Sequence, residues 1–246
     1  MSDPQEGYYR RDLALVHHLG FGHHADLCAP GILALLEPVR HRGGAVLELG
    51  CGSGLLTRYL VDAGLRVIAT DASPAMLDLA QAHIGAGVDF RRLVLPEDPL
   101  PAVDAVVSVG HVLSYLPTEA AIDHALAAAA EALRPGGLLA LDLCDLAWAE
   151  TRREAPPYVR RHDDWVLLTE YSIPSADRFV RHMTTFIRNP DGSWRRDDER
   201  HVNVLIDTAQ VPKLLAEHGV EATVTPAFGA ETLPAGLTAV IGRRRG

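Results

Sequence analysis

The chain has 246 residues and a formal net charge of −9, from 23 basic and 32 acidic residues. That length suits one main domain with an elaboration, and the acidic balance argues against a general nucleic-acid surface. Cys28, Cys51 and Cys144 are scattered without paired spacing, which fits a reduced cytoplasmic compartment, and no stretch approaches the roughly 20 apolar residues of a membrane helix.

Met1 to Tyr9 is polar and acidic and does not read as a signal peptide. Arg11 to Val39 is predicted helical with a break. Leu13, Val16 and His17 share one face, Gly20-Phe21-Gly22 interrupts, and Ile32, Leu33, Leu35 and Leu36 resume the spacing. Ala45 to Leu49 is a short apolar strand that runs straight into Gly50-Cys51-Gly52-Ser53-Gly54, after which Leu55, Leu56, Tyr59 and Leu60 repeat at helical spacing. Arg66 to Thr70 is a second strand ending in Asp71. Ser73 and Pro74 suit an N-cap and a first turn, and Met76, Leu77 and Ala80 give that helix its apolar face. A weaker strand spans Val88 to Val94, and a fourth spans Ala105 to Val109. A helix over about Thr118 to Leu133 turns Ile122, Leu126 and Leu133 inward and stops at Arg134-Pro135-Gly136-Gly137; Leu138 to Leu143 is a fifth strand. Alternating apolar strands and helices predict an α/β fold, a doubly wound parallel sheet with helices on both faces.

After Asp145 the alternation stops. Trp165 to Tyr171, Arg178 to Arg188 and Trp194 to Ile206 read as strands, with Asp191-Gly192 as a hairpin turn, so an antiparallel β insertion is expected after the fifth strand. A helix from Ala209 to His218 ends at Gly219, and strands over Glu221 to Thr225 and Thr238 to Gly242 close the chain. The final basic run, Arg243 to Arg245, reads as a solvated terminus. The expected units are an N-terminal helical lid (1–40), an α/β core (41–150), an insertion capping the substrate and offering a dimer contact (158–206), and a closing helix and strand pair (207–246).

A glycine loop at a helix N-terminus makes a site for a nucleoside or an anion. Gly50 permits the tight turn and Gly52 lets a ligand approach the backbone; about 20 residues on, Asp71 ends the next strand, where a carboxylate accepts from ribose hydroxyls. The competing NAD fingerprint needs a small residue at position 55, and this chain has Leu55.

At these residues the chain resembles the class I S-adenosylmethionine (SAM)-dependent methyltransferases. Val46-Leu47-Glu48-Leu49-Gly50-Cys51-Gly52-Ser53-Gly54 is similar to that family's first motif, and Ile68-Ala69-Thr70-Asp71-Ala72-Ser73-Pro74-Ala75-Met76 to its second. Leu133-Arg134-Pro135-Gly136-Gly137 resembles the turn before its fifth strand. The resemblance implies a seven-strand Rossmann-like sheet and SAM as cofactor, contacted by Glu48, Gly50, Cys51, Gly52, Asp71, Ala72, Met76, Leu95 and Val109. A carboxylate at Glu48 would repel a pyrophosphate but tolerates the cationic methionine moiety. Where many relatives carry an acidic residue for the adenine amine, this chain has Leu93-Val94; Leu95 would pack on the ring and a backbone amide would do the polar work. Asp104 to Leu126 also aligns without a gap on the dimeric aminosugar N-methyltransferases, which have a similar insertion; their general-base histidine falls on Tyr115.

Methyl transfer is an in-line displacement in which the enzyme mainly aligns donor and acceptor, with a base where a proton must leave. His111 and Tyr115 follow the fourth strand, at the end of the sheet where ligands bind. His111 suits a base and Tyr115 an orienting group, against the plainer reading of a packed histidine and a wall tyrosine. Asp142 and Asp145 flank the end of the fifth strand, as binders of a cationic acceptor or as caps. His17, His18, His23 and His24 cluster beside Gly20-Phe21-Gly22 without Cys or carboxylate at matching spacing, so no metal is expected. A lid presenting Tyr9, His17 and Phe21 to the substrate is the preferred reading. Glu199, His201 and Asn203 share one strand face, either lining the acceptor pocket with His201 or forming an exposed polar or dimer face. The expected activity is methyl transfer to N or O of a small molecule, with no nucleic-acid or membrane partner and a homodimer as one outcome. The rivals are a SAM-dependent enzyme of another reaction, such as a cyclisation, and a SAM-binding module without turnover.

Overall fold

The computed structural model describes residues 7–246, so the first six residues of the expected lid lie outside it. Two helices open the fold, α1 (Arg11–Gly20) and α2 (His23–His41), broken at the predicted Phe21-Gly22. The core then alternates β1 (Ala45–Leu49), α3 (Leu55–Asp62), β2 (Arg66–Asp71), α4 (Pro74–Ile84), β3 (Asp89–Arg92), β4 (Val103–Ser108), α5 (Glu119–Ala132) and β5 (Leu133–Cys144). A short α6 (Ala147–Glu150) leads into the insertion strands β6 (Tyr158–Arg161), β7 (Trp165–Ser175), β8 (Arg178–Arg188) and β9 (Trp194–Val204). The chain closes with α7 (Val211–Glu217), β10 (Val220–Thr225) and β11 (Leu237–Arg244).

The main sheet has the order β10-β11-β5-β4-β1-β2-β3. Strands β1 to β5 are mutually parallel and β11 runs antiparallel to β5. Successive core-strand residues point to opposite faces, and both faces are covered. Val46, Val67, Ala105 and Leu138 pack with α2 and α3 residues such as Ile32, Leu36 and Leu60, whereas Leu47, Leu49, Val106 and Leu139 pack with Ile122 and Leu126 of α5 and Leu215 of α7. This double burial is why the strands read as continuous apolar runs. The order reverses at β1, which lies between β2 and β4, and the carboxyl ends of β1 and β4 therefore flank the crevice in which such sheets bind ligands.

The insertion forms a separate antiparallel sheet in the order β6-β7-β8-β9. The β8–β9 register sets Phe179 opposite Asn203, Arg181 opposite His201 and Met183 opposite Glu199, so these six share one face. Further along, Trp165, Leu167, Met183 and Ile187 pack on Leu13 and Val16 of α1.

Three elements differ from the sequence reading. Strand β6 was not expected; Tyr-Val-Arg-Arg is too short to show a period, and Tyr158 and Val159 are exposed. The fifth strand begins at Leu133, because Arg134-Pro135-Gly136-Gly137 continues in it instead of forming a separate turn, with a register shift against β4 between Val103 and Ala105. The helix expected from Ala209 is a 3-10 turn at Thr208–Gln210 followed by α7, whose first turn holds the proline. Among the described residues no helix is long and apolar enough to cross a membrane.

Candidate active site

The turn from β1 to α3 places Gly50, Gly52 and Gly54 at φ of +66°, +54° and +82°. A Cβ on Gly50 would collide with the side chain of Val112. Gly50→Ala is therefore expected to cost roughly 2–4 kcal/mol, from backbone strain plus overpacking, measurable as a lowered denaturation midpoint. At Gly52, by contrast, the only atom near a built Cβ is Met76 Sδ at 3.9 Å, so the space over this backbone is open. That difference separates a glycine needed for packing from one that leaves room for a ligand.

Asp71 ends β2 facing this loop. The Gly52 N–H donates to its Oδ2 at 2.9 Å and the Ser73 N–H to its Oδ1 at 2.8 Å. Each oxygen keeps a lone pair for a further donor. Burial raises the Asp71 pKa, and these N–H donors oppose the rise. Ser73 Oγ caps α4 through Met76 N and donates to the Tyr9 carbonyl at 2.8 Å, so the N-terminal segment lands beside Asp71. Of the other residues expected at the cofactor, Met76 is buried, the Ala72 carbonyl accepts from Arg92 Nε, and Leu95 and Val109 are half-buried at the core's margin. Cys51 is buried, with its thiol pushed well up by burial.

Glu48 is 2% exposed and accepts from the Thr57 hydroxyl at 2.7 Å. Burial pushes its pKa up to about 7, against the Thr57 hydrogen bond. Because the folded value lies above the unfolded one, the native state holds the proton longer. Stability is therefore lost as pH rises from the ordinary carboxylate range through about 7. Glu48→Gln keeps an acceptor for Thr57 and is expected to gain on the order of 2–3 kcal/mol at pH 8.5 and almost nothing at pH 4, by chemical denaturation.

Beyond β4, Asp142 at the end of β5 is fully buried and accepts from Gly110 N at 2.9 Å and His111 N at 2.5 Å, with His24 Nε2 at 2.8 Å. Asp142 thus fixes the β4 turn, and Asp145 is spent on Thr208 and the Ala147 N–H. His111 is held at φ +49°, a conformation uncommon for residues other than glycine and concentrated at functional sites.

Tyr115, Tyr9, His17, His111, His201 and Arg181 converge beyond this turn. The Tyr9 and Tyr115 hydroxyls lie 2.9 Å apart and Arg181 donates to the Tyr115 hydroxyl. The Tyr115 ring lies 5.7 Å from His111 and 5.6 Å from His201, and Tyr9 lies 5.2 Å from His17. Glu199 accepts from the Tyr9 and Arg10 N–H groups, both at 2.8 Å, and from His201 Nε2 at 2.8 Å. The face with Glu199, His201 and Asn203 is buried, not an exposed polar surface. The histidine cluster of the sequence is split: His17 stacks on Phe21, His18 reaches Ser53, and His24 reaches Asp142.

Several polar atoms here are buried without a partner: His17 Nδ1, His111 Nδ1, His201 Nδ1, Arg181 Nε, Trp148 Nε1 and the Asn203 amide. Such atoms are rare in native proteins. Their concentration around Tyr115 marks a place where a ligand would complete the hydrogen bonding. Burial, reinforced by the Arg181 charge, lowers His17 to about 4, His111 to about 3 and His201 to about 2, so all three are neutral near pH 7. Burial raises Glu199 to about 7, with the Arg10 and Tyr9 N–H groups and the Arg10 charge opposing the rise. Arg181 and Trp148 were not foreseen as site residues. A charged residue between Phe179 and Met183 at the inward positions of a predicted strand was the available signal.

Residues 46–137 match the family model described as a methyltransferase domain. That stretch therefore resembles a methyltransferase domain, and the chain as a whole has the fold of the SAM-dependent methyltransferases it superposes on. The sugar N-methyltransferase KedS8 from Streptoalloteichus sp. superposes with a TM-score of 0.78 at 20% identity, covering 100% of this chain and 98% of that one. A SAM-dependent methyltransferase from Clostridium acetobutylicum superposes with a TM-score of 0.77 at 15% identity, covering 95% and 98%. In sequence, the ubiquinone biosynthesis O-methyltransferase of Xylella fastidiosa is 38% identical over 104 residues, 39% of this chain; the chain spans 40% of that relative's length.

Proposed function

We propose that this protein is a SAM-dependent methyltransferase that methylates a nitrogen or oxygen atom of a small molecule. The carrying observation is Asp71, locked by the Gly52 and Ser73 N–H groups beside an open glycine backbone. Its free lone pairs suit the two hydroxyls of an unphosphorylated ribose, and Leu55 removes the small residue that an NAD site requires. The bound cofactor would supply an electrophilic methyl group. Gly50, Cys51, Gly52, Asp71, Ala72, Met76, Leu95 and Val109 would hold it, with Glu48 supporting the loop from below.

The chain's own residues then align the acceptor. The insertion face and the Tyr9 segment enclose the unpartnered groups around Tyr115, which excludes water and limits the acceptor to a small molecule. His111 is the proposed base, accepting the acceptor's proton at Nδ1, and Tyr115 orients the acceptor. A specific observation favours a second base: His201, oriented by Glu199 through Nε2 and unpartnered at Nδ1. Residues 158–206 act as the cap, and Tyr9, His17 and Phe21 belong to the lid. The names of the relatives, a sugar N-methyltransferase and a ubiquinone-pathway O-methyltransferase, support a small acceptor and leave both atom types in play.

Calorimetry with SAM, S-adenosylhomocysteine and NAD tests the cofactor. SAM and S-adenosylhomocysteine are expected to bind at least 100-fold tighter than NAD, roughly 2.7 kcal/mol. Tighter binding of NAD would overturn the assignment. Release of S-adenosylhomocysteine from SAM with an acceptor panel separates a methyltransferase from a cyclase or a silent SAM-binding module.

A further inference from the structure

Among the described residues Arg181 has no counter-ion. Part of the residue stays open to solvent space while its Nε is enclosed and unpartnered. Its side chain donates to the Tyr115 hydroxyl, lies 5.6 Å from the Tyr115 ring, and also hydrogen-bonds the Tyr9 side chain, all of them uncharged partners. Among the described residues no ion pair involves Arg181. The buried carboxylates of the site are already committed. Glu199 serves Tyr9, Arg10 and His201, and Asp142 serves Gly110, His111 and His24. A guanidinium whose Nε is buried without a partner and whose charge is uncompensated is costly unless a ligand supplies the missing acceptor and charge.

A second arginine without a carboxylate partner stands nearby. Arg152 lies 3.2 Å over the Trp148 ring and donates to the Trp148 carbonyl at 3.3 Å and the Thr151 hydroxyl at 2.5 Å. It lines a surface cleft of about 400 Å³ with Pro156, Pro157, Tyr158 and Tyr171. Aromatic rings connect this cleft to the interior: Tyr171 stacks on Phe179 at 5.6 Å, Phe179 meets Trp148 at 6.3 Å, and Trp148 meets His111 at 5.6 Å. Phe179 and Arg181 are inward neighbours on β8. The route from the cleft to His111 is thus apolar and aromatic, with Arg152 over the Trp148 ring beside His111 and Arg181 against the Tyr115 ring on its other side.

We infer that the methyl acceptor carries an oxyanion, a carboxylate or a phosphate, bound by Arg181 and Arg152 on an aromatic path from the Tyr158–Tyr171 cleft. This rests on the methyltransferase reading and names the acceptor class for it. Guanidinium is the side chain suited to carboxylate and phosphate, through paired N–H donors. The anion would also do chemical work. Arg181 is the strongest charge depressing the basicity of His111 and His201, so neutralising it makes both better bases when the acceptor is in place.

The test uses the full chain saturated with S-adenosylhomocysteine at fixed ionic strength. Sodium benzoate probes a carboxylate, inorganic pyrophosphate probes a phosphate, and benzamide is the uncharged control. At least one anion is expected to bind in calorimetry and raise the melting temperature where benzamide does not; which one does so identifies the source of the charge. Arg181→Gln and Arg152→Gln should each weaken that anion at least ten-fold, with the SAM dissociation constant within three-fold of the parent. Failure of both anions, equal binding of benzamide, or anion binding unchanged in the variants overturns the inference. A ten-fold loss of SAM affinity in Arg181→Gln also overturns it, because the guanidinium would then serve the cofactor's own carboxylate. If Arg181→Gln does not fold, Arg152→Gln at the cleft decides alone. Failure of the parent protein to bind SAM is a separate result, which removes the methyltransferase reading itself.

Discussion

Asp71→Ala is expected to weaken SAM binding by about 10²–10⁴-fold while the protein remains folded. Two charge-assisted hydrogen bonds to ribose hydroxyls would be lost, each worth roughly 1.5–3 kcal/mol. The same carboxylate braces the glycine loop and the start of α4 through the Gly52 and Ser73 N–H groups, so the loss is at the upper end if the loop relaxes. Asp71→Asn keeps the shape but turns an amide donor toward an N–H or a hydroxyl, and should fall between the two. The pH dependence has a fixed sign. Burial raises the Asp71 pKa, so the ionised acceptor is depleted as pH falls through that raised value, and SAM affinity should fall with it and level off above. Calorimetry gives the affinity and circular dichroism the fold. A folded Asp71→Ala protein that binds SAM as tightly as the parent would place the ribose elsewhere.

The core was legible because its signals are local. Gly50, Gly52 and Gly54 stand where the backbone takes positive φ, Ser73 caps α4 as its position suggested, and the apolar strands are buried on both faces. The roles of Asp142 and Glu48 were less legible. Both are carboxylates near the predicted loops, yet one is spent on backbone N–H groups and the other on Thr57 inside the core. Sequence gives a charge and an approximate position, but the partner that uses it comes from a strand or helix far along the chain.

The acceptor side was legible only in pieces. The alternation of Glu199, His201 and Asn203 on one face was readable, but its burial depends on pairing with β8 and on Tyr9 folding across from the other end of the chain. Glu199 meets Tyr9 over a separation of 190 residues, and no local pattern encodes such a contact. Arg181 was hidden for the same reason: its lack of a counter-ion among the described residues is a property of the assembled site.

His111→Asn is expected to lower kcat by about 10²–10⁴-fold, with SAM affinity nearly unchanged, once an acceptor has been found by S-adenosylhomocysteine release. Asparagine is the suitable replacement because it tolerates the left-handed backbone that His111 adopts, so the β4 turn and its bonds to Asp142 survive. Tyr115→Phe removes the hydroxyl shared by Tyr9 and Arg181 and should cost less if that hydroxyl only orients the acceptor. The pH profile adds a test that a structural role would not pass. A base must be neutral to accept a proton, so turnover falls as pH drops through the histidine's pKa. In the free enzyme that value is depressed to about 3 by burial and by Arg181. A bound oxyanion would offset the Arg181 charge, so the acid limb of kcat, which reports the complex, should lie at higher pH than that of kcat/KM, which reports the free enzyme. His111→Asn should abolish that limb. If His201→Asn abolishes it and His111→Asn does not, the base is the histidine oriented by Glu199. If neither variant changes kcat, alignment of donor and acceptor drives the transfer without a base.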